Sequence, residues 1–210
     1  MEIREQVIYI GKKMIADGLA AATWGNISVK DQGKIFITPS GMDYQSLAPE
    51  DIVAVDEHGI ILEGLRKPSS EMLLHLEIYR HRADVLAIVH THSLYASAYA
   101  AARKSIEPLI EDMAQVIGGT VEVAQYALPG SKELALNTVA ALGNKGAALL
   151  ANHGVVGVGN TLAEAYKACL LVEKTAHIGI AAQGLGGYYV LSQTDVDQMR
   201  NMYINYYGQK

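Results

Sequence analysis

Apolar residues Ile3, Val7, Ile8, Ile10, Met14 and Ile15 recur at helical spacing, and Gly18 stands where such a helix would end. This predicts a helix over 3–19. The next run, AATWGNISVK, is β-prone with a glycine inside it. KIFIT (34–38) predicts a strand and the PSG after it a turn, while LAPED reads as a turn or helix start. IVAVD (52–56), EHG and IILEG (60–64) read as a hairpin. Pro68-Ser69-Ser70-Glu71 opens a helix in which a serine cap precedes MLLHLEIY. VLAIVHTH (85–92) predicts a buried strand, and LYASAYAAARK a helix whose alanines permit close packing.

In the second half, VEVAQYAL predicts a strand and PGSKELALNTVAALG a helix ending at Gly143. GAALLANHGVVGVG (146–159) reads as two strands about a glycine-hinged turn. Thr161 caps a long helix through Gln183, and SQTDVDQMRNMYINYY predicts a last helix ending at Gly208. No repeat, linker or low-complexity segment interrupts residues 1–210, so one domain is expected. Strands and helices alternate irregularly, with hairpins. That pattern predicts an α/β fold around a partly antiparallel sheet rather than a doubly wound one.

Composition narrows the class. A chain of 210 residues that is 50% hydrophobic and 19% charged can bury a core without cross-links. The net charge of −5, with no basic block, argues against nucleic acid or an anionic membrane as partner. Cys169, the one cysteine, lies within an apolar helix and reads as core, and a disulfide within the chain is excluded. The first residues mix charges into the apolar pattern and read as no leader, and no stretch approaches a membrane span. A soluble cytoplasmic protein is expected.

Of seven histidines, His58 and His81 fall in a turn and at a helix end and read as surface. His90 and His92 lie two apart at the end of a strand, so their rings share a face and can reach one metal ion. His153 follows another buried apolar run and can complete the set. Glu71 can supply a carboxylate, although an acid in a first helical turn also suits the helix dipole. His75, four residues after Glu71, shares its helix face, and spacing alone does not choose between them. His177 follows Glu173 at the same spacing and reads as a surface pair. Gly25-Asn26, Ser40-Gly41 and Ser69-Ser70 are three polar corners with little bulk, able together to cradle a phosphate, although turns and caps account for each alone.

TWGNIS (23–28), FITPSG (36–41), KPSSE (67–71), HTH (90–92) and LLANHGVVGVG (149–159) before a long alanine-rich helix resemble, in that order, the class II sugar-phosphate aldolases. The likeness covers almost the whole chain. It implies a three-layer α/β/α fold with a central, largely antiparallel sheet, assembled as a homotetramer with sites between subunits. It also implies one divalent metal per chain, Zn²⁺ with Mn²⁺ or Co²⁺ as alternatives, held by Glu71, His90, His92 and His153, which leaves His75 a structural role. Phosphate binding falls on Asn26, Ser40, Gly41, Ser69 and Ser70. Glu71 matches the residue that serves as both ligand and acid/base, and Tyr207 matches a tyrosine lent by the adjacent subunit.

One position departs from the pattern. Where fuculose-phosphate aldolases carry a second tyrosine, this chain has Asp112, with Glu111 beside it; the family's 4-epimerases use an aspartate in this region as acid/base. A glutamate at position 71, in contrast, is the aldolase choice of metal ligand. The resemblance therefore implies cleavage of a ketose 1-phosphate to dihydroxyacetone phosphate and a short aldehyde. The rivals are L-ribulose-5-phosphate 4-epimerase, methylthioribulose-phosphate dehydratase, and a metal-binding homologue without turnover.

Overall fold

A computed structural model describes residues 1–208. Helix α1 (Ile3–Ala16) buries Val7, Ile8, Ile10 and Met14, the expected stripe, and ends before Gly18 at φ +70°. Strands β1 (Asn26–Asp31), β2 (Lys34–Ile37), β3 (Val53–Val55) and β4 (Ile61–Glu63) follow, with a 3₁₀ turn at Pro49–Asp51. After α2 (Met72–His81) come β5 (Ala87–Thr91), α3 (Leu94–Ala102), α4 (Glu111–Ile117) and β6 (Val123–Ala124). The chain continues through α5 (Lys132–Leu142), β7 (Ala147–Leu150), β8 (Gly154–Gly159), α6 (Leu162–Gln183) and α7 (Gln193–Tyr206).

The eight strands form one sheet in the order β4-β3-β2-β1-β5-β8-β7-β6, antiparallel throughout except for the β6–β7 pair. Alternation along β5 shows how both faces are used. Ala87 and Val89 pack with α1 and α6, whereas Ile88 packs with α2 and α5. Helices thus cover both faces, which gives the expected α/β/α layering. No described helix is long and apolar enough to cross a membrane.

Three local expectations are corrected. VEVAQYAL contributes only Val123–Ala124 to the sheet, because β6 is an edge strand with one neighbour and the chain then leaves with Tyr126 and Leu128 exposed. Helix α4 (EDMAQVI) lies where no element is predicted; seven residues are too few to display a full periodicity, yet Met113, Ala114 and Ile117 are buried. The serine cap of α2 is displaced. Glu71 occupies the cap position, while Ser69 Oγ accepts from the Glu71 N–H at 3.2 Å and braces the turn before the helix.

Candidate active site

The sheet and α2 build the site together. In the antiparallel register Asn26 faces His90 and Ser28 faces Ile88, so these side chains share the face that α2 covers. His90, at the end of β5, is fully buried. His92 lies just beyond the strand, and His153 lies in the turn from β7 to β8. That turn passes so close to β5 that a Cβ on Gly154 would sit 2.2 Å from the Thr91 carbonyl oxygen. Gly25 (φ +80°) plays the same part from β1, where a Cβ would meet the His90 carbonyl at 2.6 Å. Bare backbone at these two points brings the three histidines together.

The ligand atoms of Glu71, His90, His92 and His153 all lie within 4.8 Å of one another. His90 Nε2 is 3.0 Å from His92 Nε2 and 3.3 Å from His153 Nε2. Glu71 Oε2 lies 3.3 Å from His90 Nε2, and Oε1 lies 3.4 Å from His153 Nε2. His90 Nδ1 donates to the Val155 carbonyl at 3.0 Å, which leaves the Nε2 lone pair aimed at the cluster. Burial, with His90 and His153 beside it, holds His92 at a pKa of about 3, and burial with His90 beside it holds His153 at about 4. Both rings are therefore neutral near pH 7. Burial pushes the Glu71 carboxyl up, but His90, His153 and the Asn26 amide outweigh it and hold the group well below the usual carboxylate range.

Converging lone pairs at these separations repel unless a cation lies between them. A tetrahedral ion with bonds of about 2.0–2.1 Å sets its ligand atoms about 3.3 Å apart, close to the 3.0–3.4 Å contacts that His90 makes with His92, His153 and Glu71 and that Glu71 makes with His153. Glu71 Oε1 is moreover buried without a hydrogen-bond partner. The donor set therefore fits a divalent metal.

A cavity of about 410 Å³ opens onto the cluster. Asn26, Ser40, Gly41, Ser69 and Ser70 line it together with Glu71, His92 and His153, so the three polar corners and the cluster share one space. His90 lies behind the lining. Trp24, Pro129 and Asn152 also face this cavity, and no sequence argument singled them out. Trp24 is 62% exposed and stacks on His92 with ring centroids 5.6 Å apart; its place beside Gly25-Asn26 was the available signal.

Two expected residues lie elsewhere within one chain. Asp112 is exposed and pairs with Lys174 at 2.6 Å. Tyr207 lines a separate cavity with Arg82, Asp84, Arg200 and Tyr203, at the opposite end of β5 from His90. The expected pairing of His177 with Glu173 is replaced: the Glu173 carboxylate accepts from the Tyr95 and Ala96 N–H groups at the start of α3, and His177 stacks on the Tyr95 ring at 4.0 Å. His75 is not at the cluster. It is enclosed one turn below Glu71 against Asn26 and Ser28.

A Glu/His₃ cluster that fits a divalent metal, set beside a polar cavity in a layered α/β sheet, is an arrangement suited to metal-assisted catalysis. Residues 5–180 match the family described as Class II Aldolase and Adducin N-terminal domain, and the chain belongs to that family. A 5-deoxy-D-ribulose 1-phosphate aldolase of Bacillus thuringiensis is 36% identical over 205 residues, 97% of this chain and 96% of that protein. The L-fuculose phosphate aldolase of Escherichia coli is 35% identical over 155 residues, 74% of this chain and 72% of its own. A solved L-fuculose 1-phosphate aldolase superposes with a TM-score of 0.93 at 37% identity, covering 96% of both chains. The protein is thus a class II aldolase, a carbon–carbon lyase.

Proposed function

We propose that this chain reversibly cleaves a ketose 1-phosphate to dihydroxyacetone phosphate and a short aldehyde, from L-fuculose 1-phosphate or a deoxypentulose 1-phosphate. The observation that carries this reading is the shared cavity. Neutral donors of Asn26, Ser40, Ser69 and Ser70, with the small Gly41, lie beside the Glu71, His92 and His153 side chains. A phosphate held by hydroxyls, an amide and backbone N–H groups places the adjoining carbonyl carbon toward the cluster. A divalent ion held by Glu71, His90, His92 and His153, zinc in this reading, would supply Lewis-acid stabilisation of negative charge on the substrate's carbonyl oxygen.

The protein's own groups then move the protons. In cleavage, the C4 hydroxyl loses its proton, the C3–C4 electron pair stays with C3, and the aldehyde departs. Glu71 delivers a proton to C3, and in the reverse direction removes it. Asn26 Nδ2–H, 2.8 Å from Glu71 Oε2, steadies one carboxylate oxygen, while Oε1 has no hydrogen bond to break before it accepts a proton. Tyr207 of a neighbouring copy in a homotetramer handles the C4-oxygen proton, and Asp112 stands in for the family's second tyrosine on the aldehyde side.

Incubation with dihydroxyacetone phosphate alone in D₂O tests this reading. One carbon-bound hydrogen exchanges, followed by proton NMR, and Glu71→Gln stops the exchange. An unchanged hydroxymethylene signal, with conversion of L-ribulose 5-phosphate to D-xylulose 5-phosphate, would replace the aldolase assignment by epimerase.

A further inference from the structure

Helix α2 with its cap residue presents Glu71, His75 and Tyr79 to the sheet at four-residue intervals, and β1 presents Asn26 and Ser28 at two-residue intervals. Four helical residues rise about 6 Å and two strand residues about 6.6 Å, so the two series run in step. Their contacts form an unbroken buried chain. Tyr79 Oη lies 2.8 Å from Ser28 Oγ, and Ser28 Oγ lies 2.6 Å from His75 Nδ1. His75 Nε2 lies 2.5 Å from Asn26 Oδ1, and Asn26 Nδ2 lies 2.8 Å from Glu71 Oε2.

The chemistry at one end fixes the direction of every proton in this chain. The Glu71 carboxylate only accepts, so Asn26 turns its NH₂ toward it and its Oδ1 toward His75. His75 Nε2 must then carry the proton. Nδ1 accepts from the Ser28 hydroxyl, whose oxygen accepts in turn from Tyr79. His75 is fully buried, and burial holds its pKa near 3, so the ring stays neutral and the order persists. Without the His75 N–H, Asn26 Oδ1 loses its donor, and the amide is held only at its NH₂ end by Glu71.

We propose that His75 is a positioning residue for the reaction: its Nε2–H anchors the Oδ1 end of the Asn26 amide, whose NH₂ end in turn holds the Glu71 carboxylate in place. This goes beyond a role as core filler and rests on the proposed function only for its kinetic readout.

Two measurements test it. Proton–nitrogen correlation spectra of the ¹⁵N-labelled protein give the tautomer directly. The expected signal is a neutral His75 protonated at Nε2, unchanged between pH 5 and 8; an Nδ1–H tautomer or a charged ring overturns the proposal. The second is a double-variant cycle with Asn26→Ala and His75→Leu, with His75→Gln as the conservative variant that restores an N–H at the Nε2 position. His75→Leu lowers kcat about tenfold, the size of one hydrogen bond felt in the transition state. His75→Gln recovers most of that loss, and adding His75→Leu to Asn26→Ala costs nothing more in kcat. A double variant that loses the product of the two single losses overturns the proposal. If the unaltered protein cleaves no ketose 1-phosphate, the functional reading fails by itself. The cycle is then read in Co²⁺ affinity by visible absorption, where the same non-additivity is expected because Glu71 belongs to the donor set. If His75→Leu does not fold, the tautomer and His75→Gln decide.

Discussion

Gly154→Ala is a small change with a large expected effect, because the glycine's backbone conformation is ordinary and only space forbids a side chain. The new Cβ would sit 2.2 Å from the Thr91 carbonyl oxygen, whereas ordinary contacts begin at 3.4 Å, so β8 must move from β5 by about 1.2 Å. The strain of such overpacking is roughly 1–3 kcal/mol. For a chain of this size that lowers Tm by roughly 2–12 °C. The displacement also falls on the turn that carries His153 and presses toward His92, whose Cδ2 would lie 3.3 Å from the new methyl. A misplacement of about 1 Å in a reacting constellation costs up to ~10²-fold in rate. Calorimetry, metal content and steady-state kinetics should therefore all change. Gly157→Ala is the control. Its Cβ would meet Ala165 O at 2.6 Å and Cys169 Sγ at 2.7 Å, which strains α6 against the sheet away from the cluster. It should lower Tm by a similar amount and leave kcat and metal content largely intact. A Gly154→Ala protein with unaltered Tm, metal content and kcat would refute the argument that the β5–β8 approach holds His92 and His153 together.

Glu71→Gln keeps the size of the side chain but removes the proton acceptor, so turnover should fall by about 10²–10⁴ while circular dichroism is unchanged; equal activity with metal bound would remove Glu71 from the chemistry. Ser70→Asp brings a carboxylate to the proposed phosphate corner, so KM for the phosphorylated substrate should rise strongly; an unchanged KM would place the phosphate elsewhere. The pKa values of about 3 for His75 and His92 and about 4 for His153 lie below the unfolded histidine value of about 6.5, so between pH 6.5 and 4 the unfolded chain binds protons that the folded one does not. The stability of the metal-free protein should accordingly fall as pH drops through that window, and a Tm at pH 5 equal to that at pH 7 would contradict it. Light scattering should give about four times 22.6 kDa, and truncation before Tyr207 should keep assembly and metal but cut cleavage; a fully active monomer would end the shared-site reading.

Local spacing in the sequence was enough for most of the fold, because helices and strands announce themselves through residues a few positions apart. The β-hairpin at 52–64, the capped helix after Thr161 and the shared face of His90 and His92 all follow from periods of 2 or 3.6. Short elements such as α4 and β6 did not, since seven residues and two residues carry too little pattern. The long-range decisions needed the tertiary structure. Glu71 and His75 have the same helix face and plausible chemistry, and nothing local separates them. The register of α2 on β1 does: it carries Glu71 past the strand end to the three imidazoles and closes His75 beneath Asn26. In the same way Glu173 and His177 have the spacing of a pair, yet Glu173 is drawn to the N–H groups opening α3. Periodicity fixes directions along one element, whereas a site depends on distances between elements. Those distances are set by close backbone approaches such as Gly25 against His90 and Gly154 against Thr91, which no spacing along the chain records.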